Sequence, residues 1–411
     1  AAMVSLPSAT AEPSQSPTAV VDVWSLERLR AAQTDQVAIR PITRGPKFHW
    51  FGYYDKLQFD PTERYVLGME VEFDHRSPKP DDVVKIGMVD LADEDRWIPL
   101  GETRAWCWQQ GCMLQWRPGA CDEILWNDRR GDRFVCHVLN IKTGRKRTLP
   151  HPVYHVSPDG RTGLGLDFVR LDEMDPGYGY RSLPDPNRDV AAPKDSVIYR
   201  IDLESGERHD LLSVFDVARI PYDRPELGDK HYFNHIQWSP DGNRFIFLNR
   251  WNRQRGGRET RMFTAAANGS DLRLVNVGSS HFEWRDAEHI LIWVRDAYRL
   301  FRDDGLAGPG EVVWRALNGH QTYLPGKKWL ITDTYPVGPK QEQHVYLHHA
   351  PTGRNVLLGA FHSPNSYRGE WRCDTHPRVS QTGTKVVIDS PHGGNGRQMY
   401  LIDITAIVET P

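Results

Sequence analysis

The sequence lacks the features that would assign it to several large classes of protein. It has no apolar run approaching the roughly 20 residues that cross a bilayer, so we expect no membrane partner. Its 51 basic and 54 acidic residues give a formal charge of −3, which argues against a nucleic-acid partner bound through a global basic field. Local basic pockets for an anionic ligand remain compatible with this balance.

Several catalytic signatures are also absent from the sequence. It contains no Gly-x-Ser-x-Gly elbow, no phosphate-binding loop and no His-Glu-x-x-His zinc motif. Cysteine is scarce, odd in number and without the spacing of a zinc finger; the residues are Cys107, Cys112, Cys121, Cys136 and Cys373. One disulfide among the first four is conceivable, but buried thiols are favoured.

The first 36 residues are predicted to form a flexible tail with a short helix near residues 25–33. Residues 1–20 are rich in Ala, Ser, Pro and Thr and lack both a basic n-region and an apolar h-region. This segment therefore does not have the pattern of a signal peptide.

What the sequence does contain is a repeated pattern. Its 34 glycines, 29 prolines and 14 tryptophans accompany short apolar segments, which is typical of many short strands. A strand, a Pro-Asp-Gly type turn and a second strand recur at a spacing of roughly 40 to 60 residues, the range of propeller blades. The clearest copies begin at His155 and His235, and degenerate copies begin at Gln58, Gln115, Phe282, Thr322 and Arg378. The pattern predicts an all-β protein in which residues 37–411 form a single seven-bladed β-propeller.

An extra strand precedes the first repeat, at residues 37–43. We expect this N-terminal strand to complete the last blade, because pairing there closes the ring and covers its edge. Residues 172–194 and 215–230 are predicted to be long loops, and long loops on a rigid scaffold often carry binding sites.

The later repeats place a histidine at the start of the innermost strand. These residues are His235, His281, His320 and His376. Because the inner strands of a propeller line one central channel, the four imidazoles are expected to converge on a divalent metal, Mn²⁺ or Zn²⁺, or Ca²⁺ if carboxylates and carbonyls contribute. The alternative is that each histidine only bonds a backbone carbonyl across the channel.

The earlier repeats supply a second group of polar and aromatic side chains. His49, Tyr53 and Tyr54 belong to the first repeat, Arg129 to the second and Arg170 to the third. Arginine pairs bidentately with a carboxylate and histidine or tyrosine can exchange a proton, so this combination suits an acidic sugar. Further candidate substrate-binding residues are Gln110, Tyr178, Tyr180 and Arg250. The structural alternative is that Tyr and Arg tie adjacent blades together, with Arg129 in an interblade salt bridge.

Taken together, several of these segments resemble the seven-bladed propeller carbohydrate enzymes. They are His49-Trp-Phe-Gly-Tyr-Tyr-Asp-Lys56, Gln109-Gln-Gly111, Asn127-Asp-Arg129, Asn234-His235, Phe247-Leu-Asn-Arg-Trp251, Ser280-His281, Gly319-His320 and His376-Pro-Arg378. The group contains the ulvan lyases, the rhamnose–glucuronate lyases once described as α-L-rhamnosidases and, more remotely, oligogalacturonate lyase. The resemblance extends from about residue 37 to the end of the chain.

This resemblance implies roles for particular residues. His49 would be catalytic, Arg129 would neutralise the uronate, and histidines would hold a channel metal. The lyases carry a second histidine on the next strand of the first blade, where this chain has Met69. The resemblance therefore implies that His49 works alone, that a tyrosine is its partner, or that lyase activity is lost.

The expected function is a lyase that cleaves an acidic polysaccharide or oligosaccharide at a uronic acid by β-elimination. In this hypothesis His49 is the acid/base, Tyr53 or Tyr54 assists, and Arg129 and Arg170 grip the carboxylate. An exo-α-L-rhamnosidase-like hydrolase using the same pocket and a non-catalytic propeller that binds glycans or proteins remain alternatives. We expect a monomer, secreted or periplasmic on the grounds of the suspected substrate.

Overall fold

Seven four-stranded antiparallel sheets arranged around a channel form the described part of the protein. The computed structural model describes residues 37–222, 230–252, 257–306 and 308–409, so the predicted tail and helix of residues 1–36 lie outside the described residues. In six sheets the strands run in chain order from the innermost to the outermost, and in the seventh the outermost strand is the first strand of the described chain. The predicted seven-bladed β-propeller is confirmed.

Each blade contains four strands, named in order from the inside outward. Blades one to three contain β2 (Phe48–Trp50), β3 (Tyr65–Val71), β4 (Val84–Asp90) and β5 (Arg96–Thr103); β6 (Gln115–Trp116), β7 (Glu123–Arg130), β8 (Arg133–Asn140) and β9 (Lys146–Leu149); and β10 (His155–Val156), β11 (Thr162–Gly165), β12 (Val197–Asp202) and β13 (Arg208–Ser213). Blades four to six contain β14 (His231–Trp238), β15 (Arg244–Asn252), β16 (Arg258–Ala266) and β17 (Arg273–Val277); β18 (Phe282–Trp284), β19 (His289–Val294), β20 (Ala297–Arg302) and β21 (Glu311–Arg315); and β22 (Thr322–Tyr323), β23 (Trp329–Thr332), β24 (Glu342–His349) and β25 (Arg354–His362). Blade seven contains β26 (Arg378–Val379), β27 (Lys385–Ser390), β28 (Gln398–Asp403) and, outermost, β1 (Ala38–Pro41).

The N-terminal strand closes the ring as predicted. β1 pairs antiparallel with β28, with Ala38 opposite Asp403 and Pro41 opposite Tyr400. Proline lacks an N–H, and an edge strand is where its absence from a sheet ladder is tolerated. Strands from the two ends of the described chain therefore share one sheet.

Local turn chemistry explains why the repeats fold alike. In blade three the hydroxyl of Ser157 donates to the carboxylate of Asp159, which also accepts from the main-chain N–H of Arg161. Gly160 follows at φ +70°, a left-handed conformation that glycine adopts without steric cost. The same Ser–Asp contact recurs between Ser239 and Asp241 in blade four.

Large aromatic side chains pack between the blades. Trp106, Trp108, Trp116 and Trp126 are each at most 2% exposed, as is usual for large aromatic side chains of a core. The five cysteines are free; Cys121 is exposed, and the other four are buried as favoured.

The connections after the second and fourth strands of each blade emerge on the same side of the ring, which we call the top face. It carries helix α1 (Phe168–Met174), helix α2 (Val214–Ala218) and a 3₁₀ turn (Gly369–Trp371), while helix α3 (Thr405–Val408) follows the last strand. The carboxylate of Asp167 caps α1 by accepting from the N–H groups of Val169 and Arg170. Within the described ranges, no helix has the length and apolar character needed to span a membrane.

Candidate active site in the central channel

Three of the four predicted channel histidines converge. The ring centroids of His281 and His320 are 4.6 Å apart, and those of His320 and His376 are 4.2 Å apart. All three rings are at most 6% exposed. The inner strands of blades five to seven therefore bring together the imidazoles that the repeats predict.

Each of these rings is anchored through Nδ1. His376 Nδ1 donates to the carbonyl of Gly52 (2.9 Å), His320 Nδ1 lies 2.9 Å from the carboxylate of Asp333, and His281 Nδ1 lies 2.8 Å from Oδ1 of Asn318. A carbonyl or carboxylate can only accept, so Nδ1 carries the proton in each ring. The Nε2 atoms therefore carry the lone pairs, which is the tautomer that metal-binding histidines use.

A carboxylate completes a possible metal site with two of these rings. His320, Asp374 and His376 each offer a ligand atom within 4.8 Å of the others; we call them the channel triad. His376 Nε2 is buried with no hydrogen-bond partner among the described residues and lies 3.9 Å from Oδ2 of Asp374. A buried imidazole lone pair without a partner, close to a carboxylate oxygen, can be satisfied by a cation bound between them, so the triad fits a divalent metal.

Two neighbouring glycines let the main chain approach this site closely. Gly52, whose carbonyl fixes His376, has φ +120°, and a Cβ there would lie 2.9 Å from the carbonyl carbon of Gln110. A Cβ at Gly319, next to His320, would lie 1.8 Å from the carbonyl oxygen of Asp333. Any larger residue at either position would displace a histidine anchor.

Burial favours the neutral forms of His281 and His376. Burial, together with the nearby His320, lowers the pKa of His376 well below its ordinary value and that of His281 to about 3. Burial opposes ionisation of Asp333, but His320 and hydrogen bonds from His320 and Thr375 outweigh it, and the pKa of this carboxyl lies below its ordinary value. A neutral His376 is the form that can bind a metal, because a ligating imidazole must have given up the proton on the ligating nitrogen.

His235 lies in the same channel but apart from the channel triad. Its ring stacks on Tyr53, with centroids 4.8 Å apart, and its Nδ1 is 3.0 Å from the side-chain amide of Gln110. Tyr53 in turn packs edge-on against His376 (4.9 Å) and His320 (5.8 Å), so it separates His235 from the triad. Among the described residues, the group that could hold a metal therefore contains two of the four predicted histidines together with Asp374, and Gln110 supports His235.

Tyr54 lies beside Tyr53 as a buried wall of the channel. The two ring centroids are 4.7 Å apart, and the Tyr54 hydroxyl donates to the carbonyl of Phe282 (3.0 Å). Burial raises the pKa of both tyrosines well above its ordinary value. Both predicted residues therefore contact the site, as neutral phenols held in place.

A half-buried layer covers the triad on the top face. Tyr335 hydroxyl lies 3.3 Å from His281 Nε2, to which it donates. Arg372 donates through Nε to Asp374 Oδ2 (2.7 Å) and through Nη2 to the hydroxyl oxygen of Tyr178 (2.6 Å). Tyr178, a predicted binding residue, packs edge-on over His235 at 5.5 Å. Two phenols thus flank the possible metal site.

On the same face, two arginines of blade four donate hydrogen bonds to one carboxylate. Asp175 Oδ2 accepts from Nη1 of Arg258 (2.8 Å) and from Nη1 of Arg250 (3.3 Å). Arg250 is only 1% exposed, and its Nε is among the buried atoms without a partner in the described structure. Arg250, predicted to bind substrate, therefore retains a free donor.

His49 lies on β2 as predicted, but its ring points into the seam between blades one and seven. Nδ1 is 2.9 Å from Oε1 of Gln398 and Nε2 is 3.2 Å from Oε2 of Glu70. Burial, only partly offset by these neighbours, lowers the pKa of His49. In the strand register Glu70 is opposite His49 and Met69 is opposite Trp50, so the side chain that partners His49 is a glutamate.

Arg129 forms the interblade contact that was the alternative to substrate binding. Its Nη1 donates to the carbonyl of Ser182 (2.8 Å) and its Nη2 to the carboxylate of Asp81 (2.6 Å). Across the described residues, no hydrogen bond or ion pair joins Arg129 to His49. Arg129 therefore connects blade two to residues of blades one and three.

Arg170 and Tyr180 support the long loop of blade three. Arg170 is fully buried and donates to the carbonyls of His231, Asn187 and Val190 and to Asp185. Tyr180 is fully buried and stacks on Phe168 at 4.3 Å. Neither side chain is free to grip a substrate, which corrects the sequence-based assignment.

Several residues of this site were not predicted from the sequence. They are Asp333, Asp374, Arg372, Tyr335, Asp175 and Arg258. One signal was present: Asp374 precedes His376 by two residues, so both lie in the connection that enters the same inner strand. Arg258 begins β16, and the remaining residues come from top-face connections without repeated sequence, so their placement depends on the closed ring.

No protein-family model and no curated protein matches the sequence. Among solved structures, the fold is similar to that of oligogalacturonate lyase from Vibrio parahaemolyticus, with a TM-score of 0.64, 12% sequence identity and coverage of 90% of this chain and 95% of that chain. It is equally similar to an oligogalacturonate lyase in complex with manganese, with a TM-score of 0.63, 12% identity and coverage of 90% and 95%. At this identity the likeness establishes a shared seven-bladed propeller fold.

Proposed function

We propose that the protein is a metal-dependent lyase that cleaves a uronic acid-containing polysaccharide or oligosaccharide by β-elimination. The observation that carries the proposal is the lone pair of His376 Nε2, buried and unpartnered beside the Asp374 carboxylate and below two phenols. The similar solved structures named oligogalacturonate lyase, one of them in complex with manganese, support the same reaction class.

The reaction sets clear requirements for the site. A base takes the C5 proton of the uronate, the C4–O4 bond breaks as a C4–C5 double bond forms, and the leaving oxygen receives a proton. A divalent cation at the channel triad would supply a Lewis acid that draws charge from the uronate carboxylate. Its donor set of two imidazoles and one carboxylate favours Mn²⁺ or Zn²⁺ over Ca²⁺, which prefers oxygen ligands.

The two phenols have environments that suit opposite roles. Burial, followed by the charge of Asp374, raises the pKa of Tyr335 well above its ordinary value, so this phenol keeps its proton and can give it to the leaving oxygen. Tyr178 receives a hydrogen bond from Arg372 on its oxygen, and this donor would stabilise the phenolate form of Tyr178, which is the form that can take the C5 proton.

Arg250 and Arg258 are placed to bind acidic groups of the substrate. Both already converge on Asp175, and the unpartnered Nε of Arg250 offers a further donor. A guanidinium pairs with a carboxylate in fixed geometry, so these arginines would orient the saccharide on the top face.

The hydrolase alternative requires a pair of carboxyl groups available for catalysis. The described carboxylates nearest the triad are already engaged: Asp374 by Arg372, Asp175 by Arg250 and Arg258, and Asp333 by His320. This arrangement favours elimination over hydrolysis.

An ultraviolet screen for unsaturated uronate tests the proposal. The chelated protein and the protein reloaded with Mn²⁺ are assayed on ulvan, gum arabic, pectic and glucuronan substrates, with Tyr335→Phe as the control. We expect absorbing product that depends on Mn²⁺ and is strongly reduced in the variant. Saturated products would indicate hydrolysis, and binding without turnover would indicate a non-catalytic propeller.

A further inference from the structure

A groove of about 740 Å³ runs outward from the candidate active site along the seam between blades four and five. Its inner end is formed by His281 and Asn318, the residues next to the channel triad. Its outer part reaches the outermost strand of blade four and residues 308–309 of blade five. We call it the seam groove, and its volume lies within the roughly 300 to 1,000 Å³ of ligand sites.

One wall of the seam groove is apolar and exposed. Leu274 and Val277 on β17 are 43% and 41% exposed, and the half-buried Val275 lies between them. Trp293 faces the same space, and its indole Nε1–H donates to the carbonyl of Ala316 (2.9 Å), which fixes the ring. Exposed apolar side chains concentrated in a concave surface indicate a binding site, and a fixed aromatic ring offers a rigid contact face.

The groove also carries two arginines and lies close to the reacting groups. Arg295 and Arg299 line it, and Arg295 is exposed. The main-chain N–H of Trp293 donates to the carbonyl of His281 (3.3 Å), so Arg295 follows two residues beyond a direct contact with the channel. At about 3.3 Å per strand residue, Arg295 lies roughly one sugar length from that contact.

We propose that the seam groove binds the continuation of an acidic saccharide chain whose reacting unit lies at the channel triad. This inference rests on the proposed function and extends it, because it makes the substrate an oligomer that occupies several subsites. The apolar wall and Trp293 would contact sugar faces, and Arg295 and Arg299 would pair with carboxylates. The seam groove is continuous with the candidate active site and carries two arginines. Both features favour an acidic saccharide over a protein segment as its occupant.

Calorimetric binding of saturated uronate fragments tests the proposal. The probes are α-1,4-galacturonate and β-1,4-glucuronate fragments of two, four and six units, titrated into the Mn²⁺-loaded Tyr335→Phe protein to prevent turnover. Arg295→Asn and Arg299→Gln are combined in the same background. Asparagine is chosen because Arg295 has φ +61°, which asparagine tolerates. Arg302→Gln, on the opposite end of β20 and 66% exposed, is the matched control.

For at least one of the two fragment series, we expect the affinity of the protein to be about tenfold higher for the four-unit fragment than for the two-unit fragment. The double variant should lose that gain while binding the two-unit fragment as before, and Arg302→Gln should bind like the parent. Equal affinities for all lengths, or an unchanged gain in the double variant, would overturn the seam groove as a binding site. Comparable binding of neutral gluco-oligosaccharides would overturn the role of the two arginines.

The experiment separates this inference from the proposed function. If wild-type protein forms no unsaturated product but arginine-dependent length selectivity remains, the groove stands and the lyase proposal fails. If product forms from all fragments with the same KM, the lyase proposal stands and the groove fails.

Discussion

Asp333 holds His320 at two points: its carboxylate accepts from the main-chain N–H of His320 at 2.7 Å and lies 2.9 Å from the ring Nδ1. The same carboxylate accepts from the hydroxyl of Thr375 and from the N–H of His376. One buried anion therefore fixes the orientation of both histidines of the channel triad, although they come from different blades.

Replacing this anion should weaken metal binding. In Asp333→Asn the amide carries no charge and one of its two ends can no longer accept, so we expect Mn²⁺ affinity to fall by roughly 10- to 100-fold. Titration calorimetry on the metal-free protein measures this. Asp303→Asn is the control, because Asp303 is also buried but bonds Arg244 and Thr264 away from the channel. Equal losses in both variants would mean that general destabilisation, and not ring orientation, is the cause.

Activity should depend on Tyr335 far more than on His49. Tyr335→Phe removes only the hydroxyl that we assign as proton donor, and we expect kcat to fall by about 10² to 10⁴ on a uronate substrate. His49→Gln, in the seam between blades one and seven, should lower kcat by less than about tenfold. Initial rates of absorbing product give both values. The opposite order would restore His49 as the catalytic residue implied by the family resemblance.

The fold could be predicted from sequence because its determinants are local and repeated. Ser157, Asp159 and Gly160 form a turn whose hydrogen bonds lie within a few residues, and the equivalent residues of blade four do the same. The closure by residues 38–41 followed from the need to cover a sheet edge. Such features remain visible even when each copy has diverged.

The site was only partly predictable, because it depends on contacts between segments distant in sequence. Three histidines converge because each lies at the same position of its repeat. His235 also lies in the channel, but Tyr53, from the segment after β2, packs between it and the channel triad. Asp333 and Asp374 lie in connections whose sequences are not repeated in the other blades. Arg170 has the residue type expected for a carboxylate ligand, and only its buried surroundings reveal a structural role.

Arg170 should affect stability more than binding. Arg170→Ala leaves Asp185 buried and unpaired and removes the donors that hold residues 187–191, so we expect a loss of about 3 to 5 kcal/mol in the free energy of unfolding. Arg129→Ala, whose partner Asp81 is 84% exposed, should cost less than about 1 kcal/mol. Urea unfolding at neutral pH measures both. Native stability of Arg170→Ala combined with lost uronate binding would contradict the structural role.

Protonation of His155, a channel residue outside the candidate metal site, should lower the free energy of unfolding in mild acid. Burial, followed by the positive charge of Lys56, lowers the pKa of His155 to about 4 from an ordinary value near 6.5. The unfolded chain therefore binds the proton more readily than the folded protein between these values, and stability is lost as pH falls through this window. At pH 5 the loss from this one ring would be about 2 kcal/mol.

The matched substitution for this test is suggested by the repeats themselves. Three residues before the turn proline, blade three has His155, whereas blades one, two and four have Gln58, Gln115 and Gln237. His155→Gln should therefore fit the channel and flatten the decline in urea midpoint between pH 7 and pH 5, measured without metal. His209→Gln, at an exposed position on β13, should leave the wild-type slope unchanged. Identical slopes in all three proteins would show that His155 is not the group that destabilises the fold in acid.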